Sequence, residues 1–137
     1  MLNLRRAVVG SLVFANVVIV VFAQAGAERT VRDQVYSDAQ AARGKSVYDK
    51  QCSSCHDGGM GPGLMGDDFL ATWDNKTVRT LYSRILTTMP SDDPGTVAEP
   101  DLLDLIAYLI KANGFPPGSK AFESPNELNT IKIVRSK

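Results

Sequence analysis

Two cysteines and one histidine lie together near the middle of the chain, and the sequence contains no others. They form the pattern Cys52-Ser53-Ser54-Cys55-His56. Cys-x-x-Cys-His is the attachment pattern of c-type haem, in which the two thiols bond to the vinyl groups on one edge of the porphyrin. The adjacent histidine then ligates the iron from the proximal side. The spacing therefore predicts one covalently attached haem c, with Cys52 and Cys55 as its anchors and His56 as an iron ligand.

Zinc binding and a redox dithiol are the alternative uses of such a pair. A structural zinc site takes four protein ligands, whereas the cysteines and the histidine of this chain number three in total. A thioredoxin-like dithiol belongs near a βαβ pattern, and no strand is predicted before this motif. A disulfide between Cys52 and Cys55 would close too short a loop to stabilise the fold much. Haem attachment is the interpretation that uses all three side chains.

An iron held by His56 needs a second axial ligand or has an open position, and methionine is the candidate ligand. Met60 and Met65 lie in the loop just after His56, which is expected to wrap the proximal edge of the haem. Met89 follows a predicted helix and precedes Pro90, so we expect it to be the sixth ligand, although it could instead fill the core. A thioether ligand raises the reduction potential, and a filled sixth position blocks O₂ and peroxide chemistry. The ligand pair predicts electron transfer and no enzyme activity.

Two further residues are expected to contact the haem or its ligands. A ligating imidazole usually donates its second ring N–H to a carbonyl, which fixes the ring orientation. The carbonyl of Pro62, in Gly61-Pro62-Gly63-Leu64, is well placed to accept that hydrogen bond. Trp73, the single tryptophan, could donate its indole N–H to a haem propionate or could simply pack, and the sequence leaves both open.

Three helices are predicted to position these residues. The first covers 38–52, with Ser37 as N-cap and Gln40 as its capping-box partner. The second covers 77–87, where apolar residues recur with a helical period. The third begins near Pro100 and ends before Asn113-Gly114. No stretch favours a multi-strand sheet, so the predicted class is all-α.

Glycine marks two special places in this arrangement. A loop over 57–66 contains five glycines and a proline, a density that excludes helix and strand. Gly44 instead lies inside the first predicted helix, where glycine costs about 1 kcal/mol relative to alanine. We therefore expect another helix to pass close to Gly44.

The beginning of the chain predicts export. Residues 1–6 form a short basic start, and 7–23 form an apolar stretch that precedes two small-x-small sites, which is typical of a cleaved signal peptide over 1–27. An uncleaved membrane anchor is the alternative, although the stretch is at the short end of what spans a bilayer. Residues 28–37 are expected to be a loose leader, and 117–137 a mainly polar C-terminal tail.

Length and charge limit the possible functions. Removal of the signal leaves about 110 residues, enough for one domain. Two of the 15 basic residues, Arg5 and Arg6, leave with the signal, so 13 basic residues face 15 acidic ones, a net charge of about −2. No basic run is present, which argues against nucleic acid as a partner.

In order and spacing, Cys52-Ser-Ser-Cys-His56, Gly61-Pro62-x-Leu64 and Thr88-Met89-Pro90 resemble the class I c-type cytochromes. The resemblance covers roughly 38–116. It implies the class I cytochrome c fold, in which the N- and C-terminal helices cross around one covalently attached haem. It adds Leu64 to the residues expected against the haem, and it implies Tyr108 as the neighbour of Gly44 at the helix crossing.

A narrower likeness runs from Phe69 and Trp73 through Pro94-Gly95 to Phe115-Pro116. This run is similar to the small cytochromes associated with pyrroloquinoline-quinone-dependent dehydrogenases. The likeness implies a periplasmic carrier with a quinoprotein dehydrogenase as donor and an oxidase or another cytochrome as acceptor. Ala98 departs from the capping serine that is frequent there. A permanently bound subunit of a dehydrogenase or oxidase complex is one alternative, and a haem enzyme or gas sensor with an open site is another.

Overall fold

The computed structural model describes residues 28–135, and the predicted signal over 1–27 lies outside them. The described part of the chain is mainly helical, which confirms the all-α class. Its elements are β1 (Arg29–Thr30), α1 (Asp38–Gln51), α2 (Ser53–His56), α3 (Asp67–Trp73), α4 (Val78–Thr88), α5 (Glu99–Ala112), a 3-10 helix (Glu127–Thr130) and β2 (Ile131–Lys132). None of the helices within 28–135 has the length and apolar character needed to cross a membrane.

The start of α1 follows the sequence prediction in part. The Ser37 hydroxyl accepts a hydrogen bond from the backbone N–H of Gln40 at 3.2 Å, as an N-cap should. The second half of the capping box is wrong, because the Gln40 side chain is bonded elsewhere. Its amide donates to the Phe122 carbonyl at 3.2 Å and accepts from the Phe122 N–H at 2.8 Å. Gln40 therefore links α1 to the C-terminal segment.

The crossing of α1 and α5 is so close that backbone meets backbone. A Cβ atom added at Gly44 would lie 1.8 Å from the carbonyl oxygen of Asp104 and 2.9 Å from the N atom of Leu105. The helix neighbour expected at Gly44 is confirmed, but its nearest atoms belong to Asp104 and Leu105 and not to the expected Tyr108. Tyr108 packs on Tyr48 instead, with ring centroids 5.1 Å apart.

An ion pair flanks this crossing. The Arg43 guanidinium donates to both carboxylate oxygens of Asp104, at 2.6 and 2.8 Å. Asp104 is buried, whereas the Arg43 side chain is largely exposed. The bidentate geometry satisfies the buried carboxylate, and its contribution to stability is modest because Arg43 remains in water.

α4 carries Met89 at its C-terminal end. The Thr77 hydroxyl caps the helix by accepting from the Thr80 N–H at 3.3 Å, so the helix begins at Val78 and ends at Thr88, one residue later than predicted at each end. Met89 is its C-cap residue and donates its backbone N–H to the Ile85 carbonyl at 2.9 Å. The face of α4 that is buried consists of Val78, Leu81, Tyr82 and Ile85.

The two flanking segments are not loose. The expectation of a loose leader over 28–37 does not hold for the residues described, because β1 and β2 pair in parallel. The same pairing attaches the C-terminal segment, which was expected to be a mainly polar tail. Tyr36 is fully buried and its hydroxyl donates to the Phe115 carbonyl at 2.6 Å. The other buried side chains of these segments are Val31, Val35, Phe122, Leu128, Ile131 and Ile133. They are spaced irregularly in the sequence, so no helix or strand period indicates them.

The helix that follows the glycine-rich loop was not expected from the sequence. α3 covers Asp67–Trp73 directly after the glycine-rich loop and buries Phe69. Asp67 and Asp68 occupy its first turn, where carboxylates interact favourably with the helix dipole. That pair of acids is the signal that could have indicated this helix, although seven residues are too few for a clear apolar period.

Candidate haem site

The Cys-x-x-Cys-His motif forms a turn of helix at the end of α1. Cys52 terminates α1, and α2 follows at once, with the His56 N–H donating to the Cys52 carbonyl at 3.0 Å. Residues three apart in such a turn share one face, which places both thiols on the same side. Cys52 is half-buried and Cys55 is exposed, and neither forms a disulfide. Burial, and next the Asp57 charge, raise the pKa of the Cys52 thiol to about 11.

A cleft of about 830 Å³ lies beside this motif. Side chains of Cys52, Cys55 and His56 line it, and Met89 lines the same cleft from the end of α4. Its lining includes the apolar residues Pro62, Leu64, Ile85, Val97, Leu105 and Leu109 and the polar residues Lys50, Ser91, Asp92, Asp93 and Thr96. An apolar cleft with polar residues among its lining suits a large flat apolar ligand with a few charged groups. The residues present therefore fit a haem.

The orientation of the His56 ring is set by two loop residues. Its Nδ1 atom lies 2.7 Å from the Pro62 carbonyl oxygen, within hydrogen-bond distance. When Nδ1 carries the proton and donates this bond, Nε2 is left free to ligate a metal. Gly61 presses against the same ring, since a Cβ there would lie 3.2 Å from both Nδ1 and Cε1. The role of Gly61 is not evident from its place among five loop glycines.

The three methionines of the described chain differ in their surroundings. Met89 is partly buried against the core and lines the cleft. Met60 also lines the cleft but is 75% exposed. Met65 is partly packed against the core and does not line the cleft. Met89 is therefore the methionine that is both held by packing and directed to the site.

Trp73 is the one candidate that the structure does not bring into this cleft. Its ring packs against Phe69, with centroids 6.5 Å apart, and the Lys76 ammonium lies 5.2 Å from its centroid. These contacts favour the packing alternative for Trp73. The structure brings the other candidates to one cleft, namely Cys52, Cys55, His56, Pro62, Leu64 and Met89.

Asn113 is a residue of the site region that the sequence did not indicate. Its side-chain oxygen accepts from the Gly66 N–H at 2.8 Å. Its amide donates to the carbonyls of Leu64 and Leu109, at 3.0 and 2.8 Å. One side chain thus joins the end of α5 to the loop that borders the cleft. Asparagine at a helix end is a common stop signal, and nothing in the sequence reveals a distant partner.

A hydrogen bond from another side chain fixes the start of the same loop. The Tyr48 hydroxyl donates to a carboxylate oxygen of Asp57 at 2.6 Å. Burial and this hydrogen bond raise the pKa of Tyr48 well above its ordinary value, so the hydroxyl remains protonated and able to donate. The residue that follows His56 is thereby tied to α1.

A comparison with known protein families identifies the family to which this chain belongs. Residues 39–109 match the family model described as "Cytochrome C oxidase, cbb3-type, subunit III". The chain belongs to this family of c-type cytochrome domains. No curated protein matches it. No solved structure matches it.

Membership of this family, together with the helical structure, confirms the class I cytochrome c fold. It also confirms a covalently bound haem c and a role in electron transfer with redox protein partners. The family description names an oxidase subunit, and this describes the family as a whole. The matched range includes the Cys-x-x-Cys-His motif and Met89, and it ends before the C-terminal segment that pairs with β1.

Proposed function

We propose that this chain is a periplasmic one-electron carrier whose single haem is bonded to Cys52 and Cys55 and ligated by His56 and Met89. The observation that carries the proposal is that these four side chains, from the end of α1, from α2 and from the end of α4, line one cleft. The bound haem supplies the one-electron change of its iron. The protein supplies the attachment, the ligands and an apolar surrounding.

The chain's own groups have distinct tasks in this proposal. The Pro62 carbonyl oxygen accepts a hydrogen bond from the Nδ1–H of His56, which orients the ring and makes it a stronger electron donor. The Met89 thioether has the opposite effect, because it favours the reduced iron and raises the potential. Ile85, Leu105 and Leu109 exclude water from the cleft and so lower the local dielectric. With His56 and Met89 both as ligands, a bound haem iron would have no open position for O₂ or peroxide.

The partners in this proposal follow from resemblance. Similarity to cytochromes associated with pyrroloquinoline-quinone-dependent dehydrogenases supports a quinoprotein as donor and an oxidase or another cytochrome as acceptor. The signal peptide predicted over 1–27 supports a free periplasmic carrier. The alternative, a subunit bound permanently in an oxidase complex, is favoured by the description of the matching family. Size-exclusion chromatography of the native preparation separates the two, since a free carrier elutes at the size of a single small domain.

Replacement of Met89 tests the ligand assignment. The oxidised protein should show the weak long-wavelength absorption band of an iron–thioether bond. Met89→Ala should abolish this band and open the reduced iron to CO, because the sixth ligand is gone. Met60→Ala is the matched control, since Met60 also lines the cleft but is largely exposed. A band that survives Met89→Ala would contradict the assignment, and its loss in Met60→Ala would move the ligand to Met60.

A further inference from the structure

The C-terminal strap, residues 119–135, crosses the protein outside the range that matches the family model. It is anchored by apolar burial, because Phe122, Leu128, Ile131 and Ile133 are all buried in the main core. Burial of large apolar side chains is the main favourable contribution to folding, so these four residues hold the strap to the core. The strap is therefore a firmly attached element.

One end of the strap is attached to the beginning of α1. The buried side chain of Gln40 makes two hydrogen bonds to the backbone of Phe122, at 2.8 and 3.2 Å. Both polar ends of this amide are thus satisfied by one strap residue. Loss of the strap would leave a buried amide without these partners, which is costly.

The other end of the strap is attached to the beginning of α4. The Ile133 N–H donates to the Lys76 carbonyl at 2.9 Å, and the Asn75 N–H donates to the Ile133 carbonyl at 2.8 Å.

Two further contacts join the strap to the same turn. Thr77, the N-cap of α4, forms a bridge with Lys132. The Arg135 N–H donates to the Asp74 carboxylate at 3.0 Å. The turn that leads into α4 is therefore fixed by the strap backbone.

These attachments lie at the far ends of the two helices that lead to the haem site. Gln40 is 12 residues before Cys52, and Thr77 is 12 residues before Met89. At 1.5 Å per residue, each helix transmits its position over about 18 Å. The main element contacts of α4 are with α5, the 3-10 helix and β2, and the last two belong to the strap. α1, by contrast, is held independently by its close crossing with α5.

We propose that the C-terminal strap is a positioning element that holds α4, and with it Met89, at the correct distance from the haem anchored at the end of α1. The inference rests on the proposed ligation by Met89. Without the strap, α4 would keep only α5 among its main neighbours, so the Met89 side of the cleft would open. The Cys-x-x-Cys-His side would stay in place, because α1 is held by its crossing with α5. The strap thus acts on the sixth coordination position and leaves haem attachment unchanged.

The test compares haem-loaded forms of the protein, which are two point variants and one truncated chain. Ile133→Ala removes buried volume from the strap next to α4, and Ile110→Ala makes the same deletion in α5. Chain truncation after Gly118 removes the strap entirely. Ile133→Ala and the truncation should bind CO in the reduced state at least tenfold more tightly than the unaltered protein. They should also lose the thioether band at a denaturant concentration below that of global unfolding. Ile110→Ala should lose the thioether band and the folded structure at the same denaturant concentration.

The outcomes separate the two proposals. If the unaltered protein has no thioether band, or keeps it in Met89→Ala, the ligand assignment fails before the strap is tested. If the band depends on Met89 but Ile133→Ala binds CO no better than Ile110→Ala, the positioning role is overturned. If the truncated chain does not mature with haem, the Ile133→Ala comparison decides alone. Faster hydrogen exchange of the Met89 amide, confined to the strap variants, would be further support.

Discussion

At the scale of single residues, Gly44 is the position where a side chain has least room. The carbonyl oxygen of Asp104 stands where a Cβ would be, and it belongs to α5, whose own hydrogen bonds and buried face resist displacement. Arg43 binds the side chain of the same aspartate from the neighbouring position. The helix crossing therefore depends on glycine at this place.

Gly44→Ala should destabilise the protein. Alanine in an exposed helix position would gain about 1 kcal/mol from helix propensity. Here overpacking against a backbone carbonyl should outweigh that gain and cost about 1–3 kcal/mol net, with a larger loss for Gly44→Val. Denaturant unfolding of the haem-loaded protein measures the change. Ser46→Ala, at an exposed position of α1, is the control and should stay within about 0.5 kcal/mol of the unaltered protein. A higher midpoint in Gly44→Ala would contradict the close crossing.

The residue types that carry chemistry could be predicted from the sequence because their spacing is part of the chemistry. Cys52, Cys55 and His56 lie within five consecutive residues, so little more than one helical turn brings them together. The position of Met89 at the cleft agrees with its place in the sequence after a helix and before a proline, and its ligation of the iron stays a prediction. Tyr108 was assigned wrongly to Gly44, since helical phase predicts which face is turned inward but not which atom of the partner is nearest.

At the scale of elements, the loop over 57–66 is held from both sides. Tyr48 ties its beginning to α1, and Asn113 ties its end to α5. Between these points the Pro62 carbonyl faces the His56 ring. A loop with five glycines has little conformational preference of its own, so these hydrogen bonds supply its order.

Asn113→Ala should loosen the end of this loop. It removes three hydrogen bonds, and it leaves the Leu64 carbonyl without its partner, which should cost about 1–3 kcal/mol. Hydrogen exchange of the Gly66 amide should accelerate more than global stability explains. Asn129→Ala is the control, because Asn129 is exposed and bonds only within its own 3-10 helix among the contacts described. Equal Gly66 exchange in both variants would show that Asn113 does not hold the loop.

Elements were predictable where local patterns and tertiary packing agree. α1, α4 and α5 have N-terminal signals and apolar periods, and their ends were within one or two residues of the prediction. The capping box failed in part because Gln40 found a tertiary partner in Phe122 that is 82 positions away. α3 was missed because its seven residues are too short to show a period.

At the scale of the whole molecule, the flanking segments complete a core that the central helices share. Residues 28–37 and the C-terminal strap pair through β1 and β2 and bury apolar side chains in the main core, where the strap also contacts α4. The sequence could not reveal this, because two-residue strands and irregularly spaced apolar residues have no recognisable pattern. The fold class and the haem were predictable from motifs, whereas the arrangement of the ends depends on long-range contacts.

The central claim is that one haem is bonded covalently to Cys52 and Cys55. Intact-mass measurement of the mature protein after acid–acetone extraction tests it most directly, because extraction removes a haem that is held only by its axial ligands. We predict the mass of the polypeptide plus one haem, and loss of covalent haem in the double variant Cys52→Ala/Cys55→Ala. A polypeptide mass without haem after extraction, or haem retained by the double variant, would contradict the claim.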